Sequence, residues 1–122
     1  MVLLYEELTK LILEACFEVS NELGAGFLES VYQNALLLAL AQKGIKVEAQ
    51  KPIALLFRGK NVGQFYADLL VDDKVIVELK AVKSILPEHK AQVINYLKAT
   101  GIEVGLLVNF GIPKLEYHRL HR

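Results

Sequence analysis

A single α/β domain, with a mixed β-sheet flanked by helices, is the fold the sequence predicts, and three observations carry that reading. Stretches of helical period open the chain, short β-rich runs fill its middle, and a further helix lies between two strand-like apolar runs near its end. The 122 residues fall in the usual one-domain range, and 53% are hydrophobic, enough for one core. Residues 1–122 are therefore read as one unit.

From Tyr5 to Leu23, the residues Leu8, Leu11, Ile12, Ala15, Val19 and Leu23 recur with the spacing that gathers side chains on one helix face. Glu7, Glu14, Glu18 and Glu22 take the other faces. Gly24-Ala25-Gly26 ends the helix, because glycine accepts the left-handed geometry of helix termini. A second helix runs from near Leu28 to about Lys43 and stops at Gly44. Its Ala35 to Ala41 stretch predicts a helix with most of its surface covered.

From Ile45 the pattern changes to short β-rich runs: Ile45 to Glu48, Ile53 to Phe57, Val62 to Val71 and Val75 to Val82. Turn residues separate them at Lys51-Pro52, Arg58-Gly59-Lys60-Asn61 and Asp72-Asp73-Lys74, so an antiparallel meander is expected. Pro87 suits the first turn of a helix that reaches Thr100 and is closed by Gly101. Val104 to Phe110 is apolar on both alternating faces, which marks a central strand. A strand, helix, strand unit crosses over right-handed and sets its strands parallel. Leu115 to Leu120 is expected at the sheet edge.

Composition excludes several classes. The longest strongly apolar stretch, Ala35 to Ala41, is far short of the roughly 20 residues that a membrane-crossing helix needs. Glu6, Glu7 and Lys10 interrupt any signal-peptide core, so no membrane association and a cytoplasmic location are expected. Cys16 is the only cysteine, which rules out an intrachain disulfide and reads as core packing. Fourteen Lys+Arg balance fourteen Asp+Glu, so the net field does not draw the chain to a polyanion. The second half is nevertheless locally basic, with Lys74, Lys80, Lys83, Lys90, Lys98, Lys114, Arg119 and Arg122.

The stretch from Phe65 to Lys80 carries the chemistry. Asp68 sits inside one apolar run and Glu78-Leu79-Lys80 inside the next, although acidic residues are disfavoured in strand interiors. Alternation sends Ile76, Glu78 and Lys80 to one face, with Val75, Val77 and Leu79 on the other. Asp68 joins Glu78 if facing positions sum to an even number, as a three-residue turn Asp72-Asp73-Lys74 would arrange. Two carboxylates and the Leu79 carbonyl between Glu78 and Lys80 then supply the hard oxygen ligands that Mg2+ or Mn2+ prefers. Such an ion polarises a phosphate and activates water, while the Lys80 ammonium orients that water or offsets developing charge. The plainer reading makes Asp68 a strand-end acceptor and Glu78 and Lys80 an ordinary same-face ion pair of small value.

Asp68 followed by Glu78-Leu79-Lys80, in a helix, meander, helix, strand order, resembles the PD-(D/E)XK nuclease superfamily. Gln92-Val93-Ile94-Asn95-Tyr96 is similar to the Gln-x-x-x-Tyr motif of its lambda-exonuclease-like branch, and four-residue spacing puts both ends on one helix face. Gly26-Phe27-Leu28-Glu29-Ser30-Val31-Tyr32 resembles the signature of the GxxExxY protein family within that superfamily. The resemblance implies a restriction-endonuclease-like core and a metal-dependent nuclease acting on nucleic acid, with DNA the expected substrate. It implies that Glu29 completes the acidic cluster, that Asp68 and Glu78 hold the metal beside Lys80, and that Gln92 and Tyr96 orient substrate or water. Ala67 stands where the superfamily name has proline, and Ser20 and Ala25 where typical GxxExxY relatives have His and Pro. His89, one turn before Gln92, is expected to be structural or to support the site from behind. A small domain has limited surface for gripping a duplex, so a homo-oligomer or protein partner is expected. The alternative is a non-cleaving nucleic-acid- or protein-binding accessory module on the same fold.

Overall fold

A computed structural model describes residues 3–122. Its elements follow the order α1 (Glu6–Leu23), α2 (Glu29–Gln42), β1 (Val47–Phe57), β2 (Lys60–Val71), β3 (Val75–Lys80), α3 (Pro87–Thr100), β4 (Val104–Asn109) and β5 (Glu116–His121). The strands form one sheet in chain order, β1-β2-β3-β4-β5. Only β3 and β4 pair in parallel, because α3 carries the chain back between them. The other pairs are antiparallel, so the sheet is mixed as expected.

Each face of the sheet has its own core. Ile12, Ala15, Cys16 and Val19 of α1, with Tyr32, Leu36 and Leu40 of α2, pack on Leu69, Val71, Val77, Leu106 and Val108. On the opposite face Val93 and Leu97 of α3 pack on Leu70, Ile76 and Leu107. Gly105 lets α3 approach closely, since a Cβ there would come within 2.8 Å of the Val93 side chain. Burial lifts the Cys16 thiol pKa to about 12, which leaves it unreactive core filling.

Three expectations are corrected. The runs Ile45 to Glu48 and Ile53 to Phe57 are not separated by a turn at Lys51-Pro52; β1 is continuous through both residues. Pro52 is tolerated because β1 is a sheet edge, where a missing N–H need not interrupt a ladder. The turn expected over Arg58-Gly59-Lys60-Asn61 is tighter: Phe57 pairs with Lys60, and Arg58 and Gly59 both take positive φ, the geometry of a two-residue hairpin loop. Finally, α2 is not mostly covered. Tyr32, Leu36, Ala39 and Leu40 are buried, whereas Leu38 is 62% exposed, because α1 and the sheet occupy only one side of it.

Among the described residues no helix is long and apolar enough to cross a membrane.

Candidate nuclease site

The β2–β3 hairpin sets the site. Leu69 pairs with Val77, Leu70 with Ile76 and Val71 with Val75, around a loop in which Asp72 and Asp73 take positive φ. Facing positions sum to an even number, the parity that directs Asp68 toward Glu78. The backbone ladder stops at Leu69 and side chains take it over. The Asp68 N–H donates to Glu78 Oε1 at 2.9 Å, and the Leu79 N–H donates to Asp68 Oδ2 at 2.8 Å. Each carboxylate is thus fixed by the other strand's backbone.

The Asp68 position is also a break in β2. Ala67 packs on the α3 side of the sheet and Phe65 stacks on Tyr96 of α3, while Leu69 packs on the α1–α2 side. Residues at even spacing in a regular strand share a face, so the side-chain phase of β2 switches across Asp68. On β1 the register passes from Ala49↔Leu69 to Lys51↔Ala67, and the skipped residue, Gln50, has φ 52°. Its amide nitrogen lies 3.3 Å from Asp68 Oδ1 and 2.7 Å from Gln33 Oε1 of α2.

Glu78 is 4% exposed. Burial, with the Asp68 carboxylate adding to it, pushes its pKa up to about 8; the Asp68 N–H and the Lys80 charge oppose the rise. Lys80, half-buried, follows on the same face, and its Nζ donates to Gln92 Oε1 at 3.4 Å. Tyr96 stacks on Phe65 with ring centroids 4.0 Å apart. Burial raises its hydroxyl pKa, and the Glu78 and Asp68 charges raise it further. Asp68, Glu78, Lys80, Gln92 and Tyr96 are therefore one neighbourhood, joining β2, β3 and α3.

Glu29 is not drawn into it. It is exposed at the first position of α2, and among the described residues no three Asp, Glu, His or Cys side chains converge to hold a metal. Packing of Tyr32 sets the rotation of this helix: its hydroxyl donates to the Gly24 carbonyl at 2.6 Å and accepts the Phe27 N–H, and its ring stacks on Phe110. The residue of α2 that reaches the carboxylates, through Gln50, is Gln33, one turn after Glu29. Sequence reasoning missed both glutamines, and only the residues flanking Gln50 hinted at a break in β1. His89 serves the start of α3, where its Nδ1 accepts the Leu86 N–H at 3.0 Å. Asn109 anchors the far end of the site. Its amide bonds both the N–H and the carbonyl of Val82, just past Lys80.

The donor set suits a hard cation. Asp68 Oδ2 and Glu78 Oε1 are held by backbone N–H groups, which leaves Glu78 Oε2, and Asp68 Oδ1 where it is not taken by the Gln50 amide, for an ion. A cation there would also offset both the burial that chiefly raises the Glu78 pKa and the Asp68 repulsion that adds to it.

A mixed five-stranded sheet between helices, with an acid on one strand and Glu-Leu-Lys on the next, defines a restriction-endonuclease-like protein. The sequence matches the PD-(D/E)XK nuclease superfamily over residues 6–120, and the chain belongs to that superfamily. Comparison with curated proteins found no match. The crystal structure of SSO0001 is similar in fold, with TM-score 0.58 and 20% identity over 97% of this chain; the chain spans 59% of that protein's length.

Proposed function

We propose that this chain is a divalent-metal-dependent nuclease that hydrolyses phosphodiester bonds of DNA. The observation that carries the reading is the interlocked pair of Asp68 and Glu78, each fixed by the other strand's N–H, with Lys80 two residues beyond on the same face. Asp68, Glu78 and the Leu79 carbonyl would hold Mg2+ or Mn2+. The ion supplies Lewis acidity toward a phosphate oxygen and a water of lowered pKa. Lys80, held by Gln92, orients the attacking water and offsets charge developing on the phosphate. Gln92 and Tyr96 position the substrate phosphate, their part in the Gln-x-x-x-Tyr motif of the lambda-exonuclease-like branch. Glu29, in the GxxExxY-like segment, acts at longer range through water. A cytoplasmic protein fits this role.

The test is cleavage of labelled single- and double-stranded DNA and RNA with magnesium, with manganese and with chelator. Metal-dependent cleavage of DNA is expected, and its absence from all substrates overturns the reading. The want of a third converging acidic group among the described residues favours one second reading, a non-cleaving binding module on the same fold. Calorimetric titration with manganese separates the two, because that module needs no metal.

A further inference from the structure

We infer that the outer part of the β1–β2 hairpin is an arm that enters the major groove of duplex DNA, with Arg58 and Lys60 on phosphates and Phe57, Leu56 and Val62 against the groove. This rests on the nuclease reading of the Asp68–Glu78 site.

The arm stands clear of the sheet. β3 pairs with β2 only over Leu69 to Val71, whereas β1 and β2 stay paired as far as Phe57↔Lys60. A ribbon of two strands is marginal in water by itself. This one leaves large apolar side chains in solvent: Leu56 is 61% exposed, Phe57 58% and Val62 59%. Something is expected to cover them, and charge says what. The whole chain is neutral, yet residues 49–67 contain Lys51, Arg58 and Lys60 and no Asp or Glu. Lys51 pairs with Glu48, but among the described residues neither Arg58 nor Lys60 meets a carboxylate. The Arg58 guanidinium lies over the Phe57 ring, 4.9 Å from its centre, which holds the charge at the tip.

A second copy of the chain is a poor occupant, because a symmetric arm-to-arm contact would bring Arg58 and Lys60 against their own likes. A polyanion is a good one. The major groove of B-form DNA, roughly 12 Å wide, admits a two-stranded ribbon, whereas the A-form major groove of RNA is too deep and narrow for side chains to read. Reach agrees. Lys60 and Asp68 lie on one strand, roughly 26 Å apart at about 3.3 Å per residue, which is inside one duplex turn of roughly 34 Å.

The test is fluorescence anisotropy with a labelled DNA duplex, in chelator to prevent cleavage, over a series of salt concentrations. The R58A/K60A variant should bind about tenfold more weakly, with a salt slope smaller by about 1.8, the loss of two phosphate contacts. R58K/K60R should keep the slope. L56S/F57S should lose affinity with the slope unchanged, and thermal melts should find all three variants folded. An unchanged slope in folded R58A/K60A overturns the proposal. So does equal arm-dependent binding of duplex RNA, or an L56S/F57S variant that alters only the oligomeric state in sedimentation. Cleavage of the same duplex in manganese is scored separately. Arm-dependent binding without cleavage upholds the arm and removes the nuclease reading; cleavage and binding indifferent to the arm do the reverse.

Discussion

Gln50 faces Asp68 across the β1–β2 pair with a backbone φ of 52°, and its amide nitrogen lies 3.3 Å from Asp68 Oδ1. Left-handed backbone inside a strand is costly for any side chain and most costly for a β-branched one. Strain of this kind concentrates at functional positions.

Q50V should therefore destabilise the protein by about 1–3 kcal/mol, while Q50G accepts the backbone and stays within about 1 kcal/mol. Both lose the amide that steadies Asp68, and cleavage should fall about tenfold in Q50G, about 1.4 kcal/mol in barrier. Urea denaturation alongside a cleavage time course reads both effects. Full activity in Q50G would reduce Gln50 to a bystander.

The proposed ligands and the proposed electrostatic group should separate in mutants. D68A and E78A remove oxygen donors and negative charge, so manganese binding and cleavage should both disappear. K80A removes a positive charge that repels the ion, so binding should persist while the rate drops by a hundredfold or more, on the order of 3 kcal/mol. E29A should cost less than either carboxylate, because Glu29 lies exposed and apart from the pair. Calorimetry on the four variants, followed by cleavage of a labelled oligonucleotide, gives the ranking.

Glu78 makes both stability and metal binding depend on pH. Its folded-state pKa is about 8 against an ordinary 4.5. Below the lower value both folded and unfolded chains hold the proton. Between the two values the unfolded chain has released it and the folded chain keeps it, so metal-free stability falls as pH rises, then levels above about 8. Metal affinity should rise over the same window, because the ion displaces that proton. Denaturation at pH 5 to 9 with chelator tests the first part, and E78Q should flatten the curve. A wild-type curve already flat across the window would mean that Glu78 ionises freely.

Asn109 is wholly buried, and its Oδ1 accepts the N–H groups of both Val82 and Gly111. Its Nδ2 donates to the Val82 carbonyl. N109A leaves three backbone groups without that partner. A fully buried group left unsatisfied costs about 1–3 kcal/mol, and because Val82 and Gly111 are only partly buried, water satisfies part of the deficit and a total loss of about 2–4 kcal/mol is expected. Because the chain past Lys80 would loosen, KM and kcat should both change in the folded fraction. A shift in urea midpoint of less than about 0.5 kcal/mol equivalent would show that water replaces the amide.

Much of this arrangement is local information, and the sequence by itself determined it. The period of the apolar residues set the order of helices and strands, while the parity that turns Asp68 toward Glu78 stayed conditional on the turn until the fold placed three residues, Asp72-Asp73-Lys74, between Val71 and Val75. Four-residue spacing put Gln92 and Tyr96 on one face of α3, whereas their place beside Lys80 was implied by the family resemblance and is made by the packing of α3 against the sheet. Tertiary structure alone decided what depends on surfaces meeting from far apart in the chain. The Tyr32 ring, stacked on Phe110, fixes the rotation of α2, which leaves Glu29 in solvent and brings Gln33 to Gln50. Pro52 reads as a turn until β1 is known to be an edge strand. The left-handed Gln50 and the phase switch at Asp68 leave no periodic signature, because each involves a single residue, whereas periodicity reports only what repeats.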